Sequence, residues 1–180
     1  MQNKKITPEI IEFLIDLKAD LTYEDRANPC YHLLFSNQAL LSSQKRFCKI
    51  FYEMGAKINL KNGKKETFFH KHLPSIEIEL IQFFLDKKFD INSRDYTGRT
   101  PLYSYIEYNS NIDPQKFILL LNYGADPNIP NDSGMYLVNK CSTKEKSYIK
   151  KNLLMNGAKD MLTVSGLYFY FILFYYFYFF

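Results

Sequence analysis

The chain has 180 residues, 47% of them hydrophobic and 23% charged, with a net charge of +4. That length can bury one domain's core, and the mild, scattered basic balance argues against a nucleic-acid-binding face. Three cysteines without a Cys-x-x-Cys pair, and a Met1–Lys5 opening that leads into a helix rather than a signal peptide, predict free thiols in a reducing, cytoplasmic setting.

Thr7-Pro8-Glu9 opens the first predicted helix. Thr is a good N-cap, Pro needs no N–H in the first turn, and Glu faces the positive end of the helix dipole. Ile10, Ile11, Phe13, Leu14 and Leu17 follow at helical spacing, and the helix stops near Lys18-Ala19-Asp20. A polar loop then leads to Asn28-Pro29-Cys30-Tyr31-His32 and a short helix from about Tyr31 to Gln38. Ser42-Ser43 starts its partner, which carries Phe47, Cys48, Ile50 and Phe51 and ends at Met54-Gly55-Ala56.

The next loop is Leu60-Lys61-Asn62-Gly63-Lys64-Lys65. Thr67 caps a helix through about Leu73, Pro74 breaks it, and Ser75 is expected to start the helix holding Ile78, Leu80, Ile81, Phe84 and Leu85. In the following stretch, Asp95 and Gly98 end a four-residue turn, Thr100 N-caps a helix with Pro101 at its first position, and Asp113-Pro114 opens the next. Gly124 suits the left-handed residue that stops it. Asn131-Asp132-Ser133-Gly134 forms a fourth loop, and Met135-Tyr136-Leu137-Val138 matches the Thr100-Pro101-Leu102 helix start poorly. Ser142-Thr143-Lys144-Glu145 is a capping box for a last helix ending at Asn156-Gly157-Ala158.

These elements repeat. Ala19, Ala56, Phe89 (a substituted copy), Ala125 and Ala158 recur at intervals of 37, 33, 36 and 33 residues. Thr67-Phe68-Phe69-His70 and Thr100-Pro101-Leu102-Tyr103 each begin 11 residues after such a marker. Turn, helix, helix and glycine stop in about 33 residues resembles the ankyrin repeat, through Thr100-Pro101-Leu102-Tyr103 and Gly124-Ala125-Asp126-Pro127-Asn128. The resemblance implies an all-α ankyrin solenoid over residues 6–160, about three complete repeats with partial units at both ends. It also implies that His70 hydrogen-bonds the turn before its helix. Thr100-Pro101-Leu102-Tyr103-Ser104-Tyr105, the long inter-helix segment Asn109–Pro114 and the irregular repeat lengths are similar to the ankyrin proteins of poxviruses. Those are host-range and immune-evasion factors. Many end in an F-box-like domain that recruits ubiquitin ligases, and no such domain is expected in this chain.

No motif for chemistry appears. Gly totals seven, with no phosphate-binding loop and no Gly-x-Ser-x-Gly. His70 and His72 flank one residue, but a zinc site needs four convergent ligands. Cys30 and His32 lack a third orienting group. We therefore expect no enzyme activity, no metal, no cofactor and no nucleic acid. The expected role is a scaffold binding another protein, a host protein if the chain is viral. The resemblance places the contacts on finger tips Tyr23, Glu24, Arg26, Leu60, Lys61, Arg94, Tyr96, Ile129 and Asn131, and on the first-helix residues Glu107 and Tyr108.

Met161 to Phe180 is a run of 20 uncharged residues crowded with Phe and Tyr. As a helix it would span about 30 Å, enough for a bilayer core, although Tyr prefers the interfaces. Three readings stay open: a membrane anchor; a cap on the last repeat, since Ser165-Gly166-Leu167-Tyr168 echoes Ser133-Gly134-Met135-Tyr136; or an aggregation-prone extension, the chain then being a remnant of a longer ankyrin protein.

Overall fold

The computed structural model describes residues 7–19, 30–141, 146–155 and 157–158. These form eight α-helices and no strand. Helix α1 (Pro8–Asp16) stands alone as the second helix of a leading unit. Helices α2 (Cys30–Ser36) and α3 (Gln44–Glu53) are joined by a 3-10 stretch, Gln38–Ser43. Helix α4 (Phe68–His72) passes through a 3-10 turn, Leu73–Ser75, to α5 (Ile78–Asp86). Helices α6 (Pro101–Tyr108) and α7 (Pro114–Asn122) make the third pair, and a 3-10 turn (Leu137–Lys140) with α8 (Ser147–Met155) the fourth.

Local chemistry sets these boundaries. The Thr100 hydroxyl accepts from the Tyr103 N–H at 3.2 Å, and the Asp113 carboxylate accepts from the N–H groups of Gln115 and Lys116. Both caps satisfy donors that a helix start leaves open, and each is followed by Pro in the first turn. At the other end, Gly55, Gly124 and Gly157 stop their helices at φ of 87°, 85° and 80°. Lys18 and Lys88 take the same left-handed place at φ of 52° and 61°, where a Cβ is unfavourable.

Two boundaries differ from expectation. Ser75 does not start α5: its hydroxyl donates to the His72 carbonyl, closing the 3-10 turn, and α5 begins at Ile78 after Glu77. Helix α2 ends at Ser36 rather than Gln38. The weak match at Met135–Val138 yields only the short turn Leu137–Lys140. The capping box at 142–145 and the run 161–180 lie outside the described residues.

The core is a column of stacked apolar faces. Phe68, Phe84, Phe117 and Leu120 are at most 1% exposed. Phe68 meets Phe35, Phe84 and Phe89 with ring centroids 5.3, 4.8 and 5.3 Å apart. Phe89, where the repeat elsewhere carries Ala, lies 4.2 Å from Phe69, so the larger side chain is absorbed by an aromatic cluster. Such edge and offset pairs add roughly 0.5–1.5 kcal/mol each beyond area burial.

Polar groups hold successive units in register. Asn59 Oδ1 accepts from the Asp90 N–H and Asn92 Oδ1 from that of Asp126. Asn92 and Asn128 donate to the carbonyls of Gly124 and Gly157. Lys116, 8% exposed, donates its ammonium to the carbonyls of Leu73 and Pro74 at 3.1 and 2.8 Å. Lys146 does the same one unit on, reaching Ile106. These lysines satisfy carbonyls at the ends of the preceding unit's short helix, which lack intrahelical partners.

Candidate functional site

Between the helix pairs, three loops share one five-residue turn: Asn62 to Glu66, Asp95 to Arg99 and Asn131 to Met135. In each, the first side chain's Oδ1 accepts from the N–H groups two and four residues on. The first N–H donates to the fifth carbonyl, and the fourth N–H donates back to the first carbonyl. The fourth residue is left-handed: Lys65 at φ 57°, Gly98 at 75° and Gly134 at 73°. Asn or Asp at the first place supplies that acceptor best, since a Ser or Thr hydroxyl makes the same bond more weakly.

The loops bond to one another and to the helices behind them. The Tyr96 N–H donates to the Lys64 carbonyl at 3.1 Å, and the Asp132 N–H to the Thr97 carbonyl at 2.9 Å. His70 accepts from the Thr67 N–H at Nδ1, so its Nε2 carries the hydrogen and donates to the Arg99 carbonyl at 3.0 Å. His70 thus bonds the cap of its own helix, as expected, and also the next finger. His32 Nε2 reaches the Glu66 carbonyl at 3.0 Å in the same way, and the Tyr103 hydroxyl takes this place opposite Asn131.

The surface candidates divide into residues held in the framework and residues left outward. Tyr23, Glu24 and Arg26 lie outside the described residues. Leu60, Ile129 and Asn131 are half-buried. The Lys61 ammonium donates to the Arg94 carbonyl at 3.2 Å. Arg94 bonds the Gly98 carbonyl of its own finger and both the Pro130 carbonyl and the Asp132 carboxylate of the next, so it ties two fingers together. Tyr96 and Tyr108 are 60% and 64% exposed. The Lys65 ammonium sits 4.9 Å from the centre of the Tyr96 ring.

Glu107 and Tyr108 meet through Arg99, which sequence reasoning did not single out. Its guanidinium lies 5.1 Å over the Tyr108 ring and donates to the Tyr108 hydroxyl. Arg99 Nε is 2.8 Å from Glu107, a contact of charge rather than an aligned hydrogen bond. Lys140 closes on the other Glu107 oxygen at 2.9 Å. The only signal for Arg99 was its place as the finger's last residue, directly before the Thr100 cap.

The titratable interior does not converge on a centre. Burial holds His32 and His72 down at about 4 and lowers His70 as well. It raises the Cys30 and Cys141 thiols to about 11 and raises Cys48 too, which keeps all three protonated and unreactive near neutrality. Among the described residues no group of three His, Cys, Asp or Glu side chains could hold a metal ion.

The ankyrin repeat family model matches residues 97–132, from the turn before α6 to the turn after α7. No curated protein matches the sequence. Ankyrin repeats generally mediate protein–protein interaction, and the family is typically a non-enzymatic scaffold. With the finger and left-handed stop recurring outside the matched stretch, the described residues form an all-α fold consistent with an ankyrin-repeat solenoid.

Proposed function

We propose that this protein is a recognition scaffold without chemistry of its own, and that it grips a partner protein with its fingers and the exposed ends of its first helices. The observation that carries this reading is the pair Tyr96 and Tyr108. Both rings stand more than half exposed on a hydrogen-bonded framework, each with a cation over its face. Tyr and Arg are the common anchors of protein interfaces, and side chains already held in place lose little entropy on binding. A photo-crosslinking residue installed at position 96 or 108 should capture the partner, whereas one at position 118 on α7 should not. Crosslinks from position 118 alone would refute the reading.

The partner we propose is a host protein met in the cytoplasm. Support comes from the similarity of the Thr100–Tyr105 and Asn109–Pro114 segments to poxvirus ankyrin proteins. Recovery of the crosslinked protein and its assignment to host or non-host origin tests this. The uncharged run at 161–180 favours a second reading, a membrane-tethered scaffold. No helix among the described residues is long and apolar enough to cross a membrane, so that reading rests on the run alone. Carbonate extraction of the full chain, compared with one ending at Asp160, separates the two.

A further inference from the structure

We infer that the partner segment seated on the fingers at residues 62–66 and 95–99 is acidic. This deepens the recognition reading and rests on it.

The argument starts from which charges of that surface are already engaged. Asp95 Oδ1 accepts from the Thr97 N–H and hydroxyl and from the Arg99 N–H, at 2.7, 2.7 and 3.0 Å. Glu66 accepts from the Asn62 amide at 2.7 Å. Glu107 lies between Arg99 and Lys140, and Asp132 pairs with Arg94. Every carboxylate around Tyr96 and Tyr108 therefore has its partner within the chain.

The cations do not balance in the same way. Residues 61–66 hold Lys61, Lys64 and Lys65 against the single carboxylate of Glu66. Lys64 and Lys65 are exposed, and neither ammonium meets a carboxylate among the described residues. Lys65 rests on the Tyr96 ring, a contact that leaves its N–H donors free. The Lys64 carbonyl accepts the Tyr96 N–H, so the backbone of Lys64 adjoins Tyr96. One ammonium on an exposed aromatic face, with a second exposed lysine at the neighbouring position, suits a short segment that alternates carboxylate and apolar side chains.

The cation surplus does not continue along the row of fingers. Residues 126–133 carry no Lys or Arg, and Asp132 there is already paired with Arg94. A nucleic acid, with phosphate at every step, would find no unpaired cation along residues 126–133. A peptide can change its charge along its length, so its acidic end lies over residues 61–65 and its neutral end toward residue 132.

The test is selection of short random peptides, displayed on phage, against the full chain. Selected peptides should carry more Asp and Glu than Lys and Arg. The affinity of a selected peptide should drop about tenfold in the Lys64→Glu/Lys65→Glu double variant and fall with added salt. Both lysines are exposed, and circular dichroism of the variant should be unchanged. Peptides without acidic excess, an unaffected affinity, or an oligothymidine binding as tightly as the peptide would each overturn the inference. Crosslinking from positions 96 and 108 reads the parent proposal separately. If it persists undiminished in the double variant, recognition stands and the acidic partner falls. If it is absent from the unmodified chain, both fall.

Discussion

Lowering the pH from about 7.5 to about 5 should remove several kcal/mol from the stability of the stack, and His32 and His72 account for it. Both imidazoles are internal, 6% and 7% exposed. Burial is the main reason each pKa falls from 6.5 to about 4. For His32 the Glu66 carbonyl and carboxylate pull upward, while Lys71 and His70 push further down. For His72 the second cause is His32 itself, whose ring is centred 5.9 Å away. In the unfolded chain both titrate near 6.5. Between these values the unfolded chain takes up protons that the folded chain refuses. Stability is therefore complete above about pH 6.5 and is lost as pH falls toward 4. At pH 5 the loss is about 2 kcal/mol for each residue, on the order of 4 kcal/mol together. That is a large part of the 5–15 kcal/mol typical of a domain. His70 shifts in the same direction and adds to the loss. Urea unfolding followed by circular dichroism across this range measures the effect, and exposed carboxylates contribute little above pH 5. An unchanged midpoint from pH 7.5 to 5, or imidazole resonances that titrate near 6.5 in the folded protein, would refute the reasoning.

Four further substitutions read other parts of the framework through denaturant melts. Lys88→Gly should stabilise by about 0.5–1 kcal/mol, because a left-handed residue with a Cβ is replaced by one without; no gain would mean that Lys88 makes compensating contacts. Gly98→Ala should destabilise by about 1–3 kcal/mol, since the new Cβ would sit 2.2 Å from Asp132 Oδ1 and 2.4 Å from an Arg94 nitrogen, at a φ of +75°. Leu120→Ala, at 0% exposure, should cost roughly 2–5 kcal/mol, against about 1 kcal/mol for Thr100→Ala. A reversed order would mean that caps rather than core faces hold the third unit.

What the sequence could reveal depended on how far each interaction reaches along the chain. Thr100-Pro101 and Asp113-Pro114 are readable from residue type, because a cap closes within three residues. The stops at Lys18 and Lys88 carry no glycine, and only the repeat register locates them. Ser75 misled because a hydroxyl can serve a helix start or the end of the preceding turn equally well. Here the His72 carbonyl won. Lys116 was not legible, because its carbonyl partners lie 42 and 43 residues back and nothing in its neighbourhood marks it. Arg94 and Arg99 show the same limit at the surface. Arg94 looks like a free tip in sequence, yet it bonds the next finger; Arg99 carries no mark in sequence, and its contacts with Glu107 and Tyr108 arise only when its finger folds against α6.

The second residue of each finger turn is Gly63, Tyr96 or Asp132, three side chains with nothing in common. None of them takes part in the bonds that close the turn. In the second and third of these turns the backbone N–H of this residue is what meets the preceding finger. The position accordingly excludes proline there, and the turn itself places little other demand on residue type, although Asp132 also pairs with Arg94 of the preceding finger. A lineage could therefore change its target by single substitutions here while inheriting its architecture intact. An engineer could in the same way treat the tip as a blank to be rewritten, so long as Asn or Asp stands just before it.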